Sequence, residues 1–507
     1  MPARVTASGK NLKFSVIGQL MTVVFNFILR RIFIKLLGTE YTGFAGLCGH
    51  MLNFLSLLEP GFDGACAFCL YNPIARGDTL LVRAIMAYIK RVYRIIGILT
   101  FSVGACMFPL LFLFSPGSID LSYGAAIYFL MLFEMSASYF FTHRSILPFA
   151  DQKNYTVAFF GYITFAVSRL VQLAFIGTTG SYIGYIVSGI VCGFCGELLL
   201  YRRIGRMYPF IKEKNTVIPE NVKKEARSNA FSLLFRKAGA VLCGSADNMA
   251  VFTFLGLGAG TRYSNYTMLS GICLMLTGAV AGCASASVGN LGAVNGKSRM
   301  YSIYRTAMAA IVPLSGFFAC ALFLVYPLAI GLWLSADMAP DTLTAALSCI
   351  YMFVCAIRKP CTVFIDSMGL FGREKIKSLT EAIATTALLF FMTPYFGIKG
   401  VIFSQLCVSV LFSLPFELYI LFRHGFEKNV REFLRELLMY IFALVLSFIL
   451  SSALCVFTDS INCVLPRMLA RITLCAVSCV SVFFVMFFDS RNLGNAVYYG
   501  KRMLTGK

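Results

Sequence analysis

The sequence contains few charged residues. Only 13% of its 507 residues are Asp, Glu, Lys or Arg, against roughly 25% in an average soluble domain. Hydrophobic residues make up 58% of the chain instead, and apolar runs recur from one end to the other. This composition excludes an ordinary cytosolic enzyme, and it predicts a protein that crosses a membrane many times.

Motifs for metal or nucleotide chemistry are also missing. Two pairs of cysteines have CxxC spacing, Cys66 with Cys69 and Cys192 with Cys195, but no histidine lies near either pair. We interpret these cysteines as small packing residues of apolar helices. Residues 292–298 resemble a phosphate loop, yet they lack its first glycine and no strand precedes them. No metal or other cofactor is therefore expected.

Acidic residues are scarce beside basic ones, at 23 against 44, which gives a net charge of +21. In a soluble protein this excess would suggest nucleic-acid binding, but basic residues also collect in the cytoplasmic loops of membrane proteins. With a cytoplasmic N-terminus, the inner segments hold 34 of the basic residues and the outer links hold three, Arg262, Lys399 and Arg467. The distribution predicts that both termini are cytoplasmic, and no nucleic-acid partner is expected.

Apolar stretches long enough to cross about 30 Å of hydrocarbon number six before the longest polar interruption and eight after it. The predicted fold is all-α and integral to the membrane, with about fourteen transmembrane helices. Two six-helix bundles form it around a central cleft, and two C-terminal helices follow. The predicted domains are an N-terminal lobe at 1–201, a basic cytoplasmic linker at 202–229, a C-terminal lobe at 230–422, and two extra helices with a cytoplasmic tail at 423–507.

Glycines repeat between the two lobes at an offset of about 220 residues. The matched pairs are Gly38 with Gly256, Gly177 with Gly397, and Gly180 with Gly400. An offset of six helices is an even number, so the two bundles are predicted to lie the same way up, as in transporters built from parallel repeats. A cleft between two such bundles suits alternating access.

Several cationic side chains fall inside the predicted helices, where an Arg or Lys at the centre costs about 2.5–3.5 kcal/mol even on permissive scales. Arg30 and Arg31 lie towards the outer end of the first helix, and Arg169 lies near the middle of the fifth. Arg31 can alternatively extend to the headgroups. Fixed guanidinium groups in a cleft suit a phosphate-bearing substrate, so all three are candidate substrate-binding residues.

Acidic side chains inside the predicted helices are candidates for coupling transport to an ion gradient. Asp247 is the leading candidate, followed by Asp63 and Asp366, and Glu59 lies close to Asp63 in the sequence. Each of the four can instead be a static ion-pair partner of an arginine. The sequence leaves the driving ion, a proton or sodium, undecided.

A family resemblance covers nearly the whole chain. Among the segments that carry it are Leu55-Ser-Leu-Leu-Glu59-Pro-Gly-Phe-Asp-Gly-Ala65, Ser245-Ala-Asp-Asn248, Arg358-Lys-Pro360 and Gly397-Ile-Lys-Gly-Val401. In these segments the chain resembles bacterial polysaccharide flippases of the Wzx type, in the multidrug/oligosaccharidyl-lipid/polysaccharide exporter superfamily. One departure is Ala384-Thr-Thr-Ala387 in the eleventh helix, where this family is expected to carry an Asn and a Ser.

The resemblance implies twelve core helices in two bundles with two further helices. It also implies a non-enzymatic function in the bacterial plasma membrane, the flipping of undecaprenyl-pyrophosphate-linked oligosaccharide repeat units for surface polysaccharide biosynthesis. Two alternatives stay open. A cation-coupled multidrug antiporter shares this fold but is expected to have an acidic or aromatic cavity. A polymerase or ligase of the same pathway normally acts through a large external loop. The sequence does not identify the glycan or the oligomeric state.

Overall fold

The computed structural model describes residues 2–59, 62–114, 120–151, 153–212, 220–291, 297–368 and 370–487. Within these ranges every regular element is a helix. Some residues named in the sequence analysis lie outside the described residues. These are part of the linker, at 213–219, most of the loop at 292–298, and the tail at 488–507. For Asp63 the backbone is described and the side chain is not.

The α-helices are numbered in chain order, and short 3₁₀ and π segments join some of them. Their bounds are α1 Pro2–Leu55, α2 Phe62–Arg76, α3 Thr79–Phe114, α4 Leu121–Thr142, α5 Ile146–Ala150, α6 Asn154–Thr179, α7 Tyr182–Met207, α8 Glu220–Leu291, α9 Lys297–Trp333, α10 Thr342–Ser367, α11 Phe371–Val408, α12 Leu414–Ile420, α13 Val430–Cys455 and α14 Val464–Phe487.

Nine helical segments among the described residues are long and apolar enough to cross a membrane. One of them, Lys377–Phe426, is 50 residues long, which at 1.5 Å per residue is more than twice the thickness of the hydrocarbon core. The prediction of an all-α integral membrane protein is confirmed. The exact number of fourteen crossings stays a prediction.

Glycines interrupt the three longest helical stretches. Gly38 in α1 has φ 86° and ψ 177°, and Gly256 in α8 has φ 82° and ψ 176°. This backbone conformation is essentially restricted to glycine. The two residues were matched from the sequence, and they share the same rare geometry, which supports the duplication. In α11 the break is at Gly397, with φ 60°, whereas its sequence match Gly177 lies inside α6 and the positive φ of that region is at Gly180.

Contacts divide the chain into two compact units, Met1–Thr261 and Arg262–Lys507. The first unit therefore contains the part of α8 that precedes Thr261. The lobes predicted from the sequence meet instead at the linker 202–229, so their boundaries stay a prediction.

Each unit has its own apolar core. In the first unit, Leu47, Tyr128 and Leu132 are fully buried among residues of α1 and α4. In the second unit, Tyr304 and Phe422 are buried in a cluster of aromatic rings. Exposed apolar side chains are numerous outside these cores, as expected of helices that face lipid. The packed helices of these cores fix the positions of the polar side chains that lie between them.

Candidate functional site

Arg169 belongs to α6 in the first unit, and its side chain contacts α7. Its Nη1 donates hydrogen bonds to Oε1 of Gln172, at 2.7 Å, and to the hydroxyl of Tyr185, at 3.1 Å. The guanidinium also lies over the ring of Phe165, 4.8 Å from its centroid. The Nε atom is buried without a hydrogen-bond partner among the described residues. Arg169 is thus held in one orientation and keeps one donor for a further acceptor.

Two carboxylates lie within electrostatic range of this arginine or of each other. Glu134 of α4 interacts with Arg169, and Glu197 of α7 interacts with Glu134. Oε2 of Glu197 is buried and has no hydrogen-bond partner among the described residues. Glu134 is thus an acidic side chain near Arg169, and Glu197 is a second one near Glu134.

Arg30 and Arg31 differ in their surroundings. Arg30 is partly buried, and its Nη2 donates to the backbone carbonyl of Thr261 at 3.3 Å. Arg31, one residue later on the helix, is exposed. Phe33, on the same helix, packs edge-on against Tyr185, the residue that accepts from Arg169. Aromatic packing thus connects the α1 region of the two arginines to the Arg169 site.

Asp247 is buried in α8, with 7% of its surface exposed. Its Oδ1 accepts hydrogen bonds from the backbone N–H of Asn248, at 2.8 Å, and from the side-chain Nδ2 of Asn248, at 3.2 Å. The imidazole of His50 on α1 lies within electrostatic range. The sequence interpretation identified Asp247 but not His50. A histidine inside an apolar stretch was the available signal, since the chain has only three histidines.

The polar groups around Asp247 lie on a close contact between α1 and α8, which we call the α1–α8 seam and define by residues 39–53 and 245–261. Nδ2 of Asn53 donates to Oγ of Ser245 at 2.9 Å, and the hydroxyl of Thr261 donates to the carbonyl of Thr39 at 2.7 Å. Between them, Gly43 approaches Leu257 so closely that a Cβ atom would lie 2.4 Å from its carbonyl oxygen. Glycine permits this backbone contact.

Glu59 follows a 3₁₀ turn, Ser56–Leu58, that comes after α1, and it contacts two tyrosines. The hydroxyl of Tyr93 donates to its Oε1 at 2.8 Å, and that of Tyr139 lies 3.4 Å from its Oε2. The two tyrosine hydroxyl groups can stabilise the Glu59 carboxylate by hydrogen bonds without adding a second charge. The backbone of Asp63 belongs to α2.

Asp366 is the one candidate that lies in the second unit. It is exposed near the C-terminal end of α10. The structure therefore places Arg30, Arg31, Arg169, Glu59 and Asp247 in one unit and Asp366 in the other.

A buried ion network in the second unit was not predicted. Glu417 of α12 is fully buried and accepts from Nη2 of Arg358 at 2.7 Å and from Nζ of Lys377 at 2.5 Å. Glu381 accepts from the same two cations, at 2.8 and 3.0 Å. Arg358 and Lys377 are among the 34 basic residues that the sequence analysis assigned to inner segments. Their ion-pair partner was not apparent because Glu417 is 40 or more residues away in sequence.

The surroundings of this ion network are irregular. Nη1 of Arg358 donates to Oγ of Ser409 at 3.2 Å. Ser409 begins a π-helical segment, Ser409–Ser413, and a second one, Leu421–Phe426, follows α12. Such segments are rare and often mark functional positions. Glu417 therefore lies between two π-helical segments.

Comparison with solved structures identifies the fold. A scan against protein-family models finds no match, and a search of curated proteins finds none either. A structure described as the lipid II flippase MurJ in an inward closed conformation matches 94% of this chain and 99% of its own, with a TM-score of 0.69 and 13% identity. This chain has a flippase-like fold.

Multidrug transporters share the same architecture. An inward-facing MATE family transporter of the MOP superfamily matches 78% of this chain and 94% of its own, with a TM-score of 0.58 and 12% identity. The MATE transporter VcmN of Vibrio cholerae matches 83% of this chain and 98% of its own, with a TM-score of 0.58 and 11% identity. Identities this low establish the fold alone.

Proposed function

We propose that this protein flips undecaprenyl-pyrophosphate-linked oligosaccharide repeat units across the bacterial plasma membrane by alternating access, as a non-enzymatic step of surface polysaccharide biosynthesis. On this proposal it belongs to the Wzx-type branch of the exporter superfamily, and both termini are cytoplasmic. The observation that carries the proposal is Arg169, a guanidinium fixed in the middle of a predicted membrane helix, whose buried Nε has no hydrogen-bond partner among the described residues.

The chemistry of this arginine favours a phosphate-bearing substrate. Guanidinium groups bind phosphate oxygens through paired hydrogen bonds that are shorter and stronger than neutral ones. Arg169 is held by an amide and a hydroxyl, which are weaker competitors for it than a phosphate is. Arg30, bound to a backbone carbonyl, is similarly placed to exchange a neutral acceptor for a charged one.

The similarity to a lipid II flippase supports a lipid-linked substrate. That structure covers more of this chain than the MATE transporters do and has the higher TM-score, 0.69 against 0.58. The fold alone does not choose the substrate, because both kinds of transporter share it. The choice of a lipid-linked substrate over a multidrug substrate rests on Arg169 and Arg30.

Asp247 is the proposed coupling residue. It is buried, it lies on the α1–α8 seam, and it interacts with His50 across that seam. Binding of a proton or a sodium ion to this carboxylate would change the attraction between the two helices. A gradient could thereby drive the opening and closing of the seam. Asp63, Asp366 and Glu59 are the secondary candidates.

A cation-coupled multidrug antiporter is the second candidate function, favoured by the MATE transporters among the similar structures. Such a protein would bind organic cations, and Glu134 with Glu197 provides acidic groups near Arg169. We prefer the lipid-linked substrate because guanidinium groups repel cationic drugs. A polymerase or ligase of the same pathway is a third candidate, without a specific observation in its favour.

The deciding experiment measures transport by the purified protein in proteoliposomes. Fluorescently labelled, undecaprenyl-pyrophosphate-linked oligosaccharide is loaded in one leaflet, and its loss to a membrane-impermeant quencher reports translocation. The same vesicles are assayed for gradient-driven uptake of ethidium, an organic cation. Protein-dependent flipping without ethidium transport supports the proposal. Ethidium transport without flipping would establish the antiporter instead.

A further inference from the structure

Four nitrogen-bearing side chains converge in the first unit, away from the residues proposed to bind substrate. Lys90 and Arg94 lie on α3, and His143 and Arg144 directly follow α4. Lys90 interacts electrostatically with Arg94 and with Arg144, and all three cations interact with His143. We call this group the basic cluster.

The basic cluster contains one buried imidazole, that of His143. His143 is only 3% exposed, and its Nδ1 has no hydrogen-bond partner among the described residues. A buried polar atom normally has a partner, because leaving it without one costs free energy. The imidazole also lies near the backbone carbonyl of Phe140, one turn earlier on the chain, and a ligand atom with better hydrogen-bond geometry at Nδ1 would complete this site.

Arg144 is positioned by α7. Its Nη1 donates to the backbone carbonyl of Tyr201 at 3.1 Å, and its guanidinium lies over the Tyr201 ring, 3.4 Å from the centroid. The carbonyl and the ring compensate part of its charge without supplying an anion. Like charges held together raise the free energy of the folded state, so an anion bound among them would relieve their repulsion.

The depth of the basic cluster indicates what kind of anion it meets. On α3, the 20 residues 95–114 follow Arg94 and are almost wholly apolar. At 1.5 Å per residue they span about 30 Å, the thickness of the hydrocarbon core. On α4, the 22 residues Leu121–Thr142 end immediately before His143. A bilayer whose hydrocarbon core covers residues 95–114 and Leu121–Thr142 would have the cluster at one boundary, at the level of lipid phosphates.

We propose that the basic cluster of Lys90, Arg94, His143 and Arg144 is a binding site for the phosphate group of a lipid. Basic pockets between transmembrane helices are known to hold phosphate-bearing headgroups. The phosphate can come from an isoprenoid pyrophosphate, as in a lipid-linked substrate, or from an anionic phospholipid. The site lies apart from Arg169 and needs no transport cycle, so it stands independently of the proposed function.

The test uses the full chain in nanodiscs of phosphatidylcholine and measures binding of radiolabelled farnesyl pyrophosphate. The wild type should bind saturably, and Arg94→Gln should bind at least about tenfold more weakly, since hydrogen bonds to charged groups are lost. Arg91→Gln is the matched control, because Arg91 is exposed on the same helix and outside the cluster. It should bind like the wild type. Lys90→Gln replaces Arg94→Gln if that variant fails to fold.

A second arm identifies the source of the phosphate. Phosphatidylglycerol is added to the discs in increasing proportion. If it displaces farnesyl pyrophosphate from the wild type, the site accepts phospholipid headgroups; if it does not, the site prefers the pyrophosphate. Either result supports a lipid-phosphate site. Absence of saturable binding of both lipids to the wild type, or equal binding by the Arg94 and Arg91 variants, would overturn the proposal.

Discussion

At the scale of single residues, Arg169 combines a fixed position with an incomplete set of hydrogen-bond partners in the part of the chain that the structure describes. A carbonyl, amide or hydroxyl can satisfy part of a guanidinium group, but five N–H donors demand more acceptors than the two that Arg169 contacts through Nη1. A bound phosphate would supply the remaining acceptors. The residue is therefore expected to be essential for the substrate and dispensable for the fold.

We predict that Arg169→Ala lowers the rate of lipid-linked oligosaccharide flipping at least about tenfold while the protein still inserts in the membrane. Arg169→Lys should retain part of the activity, because it keeps the charge but not the paired donors. The rate is measured in the proteoliposome assay.

Tyr185→Phe is the control for the internal contacts of Arg169. It removes one hydroxyl that accepts from the guanidinium and keeps the ring that packs on Phe33. Flipping should continue near the wild-type rate. Full activity of Arg169→Ala, or an equal loss in Tyr185→Phe, would show that Arg169 does not act on the substrate directly.

Asp247 supplies the second residue-scale prediction. Asp247→Asn should abolish the dependence of flipping on an imposed gradient and leave binding of the lipid-linked sugar intact, because an amide neither releases a proton nor attracts a cation as a carboxylate does. Gradient-driven flipping and ligand binding are measured side by side. Asp341→Asn, at an exposed carboxylate that pairs with Lys399, should change neither. Unchanged gradient dependence in the Asp247→Asn protein would make Asp247 structural.

At the scale of the elements, the α1–α8 seam depends on glycines that allow backbone contact. A side chain at Gly43 would meet the carbonyl of Leu257 at 2.4 Å, whereas one at Gly49, on the same helix, would have nothing within 4 Å. Backbone atoms cannot move aside as the end of a flexible side chain can. A substitution at Gly43 therefore tests the contact between α1 and α8. The same substitution at Gly49 tests the effect of replacing a glycine in the helix without that contact.

We predict that Gly43→Val opens the seam and that Gly49→Val does not. The measurement is the yield of a disulfide between cysteines placed at Asn53 and Ser245, whose side chains are 2.9 Å apart, in a protein whose native cysteines are replaced. The yield should fall several-fold in the Gly43→Val protein only. Equal yields in both variants would contradict a seam closed by Gly43.

The buried ion network around Glu417 is expected to contribute to the stability of the second unit. Glu417→Gln leaves Arg358 and Lys377 with one fewer carboxylate in a buried site, which we expect to cost about 3–5 kcal/mol. The free energy of unfolding is compared with that of Glu427→Gln, which removes only an exposed pair with Lys297 and should have little effect. Equal stability of the two variants would contradict a structural role for Glu417.

At the scale of the whole molecule, the distribution of basic residues predicts the orientation in the membrane. A single cysteine at Arg203, exposed after the transmembrane part of α7, should not react with an impermeant maleimide added to intact cells. A cysteine at Asp337, exposed between α9 and α10, should react. The reverse pattern would show that both termini face outward.

The composition of the sequence and the recurrence of its glycines determined much of the fold. An excess of apolar residues over a long chain can be buried only in lipid, so the all-helical membrane architecture followed from composition. The offset shared by several glycine pairs indicated a duplication, and the structure adds that Gly38 and Gly256 both have positive φ values, which glycine adopts without strain. Both inferences use local or averaged properties that need no knowledge of which helices touch.

Only the tertiary structure decided which charges meet. The sequence identified Arg169 and Asp247 by the cost of charge in a membrane, but it could not assign Tyr185 to the first or His50 to the second. It also counted Lys377 among the basic residues of the inner segments, but it could not assign Glu417, 40 residues further along, as its buried partner. Helical periodicity fixes which residues share a face of one helix; the face that a distant helix presents to it is set by packing, which has no local signature in the chain.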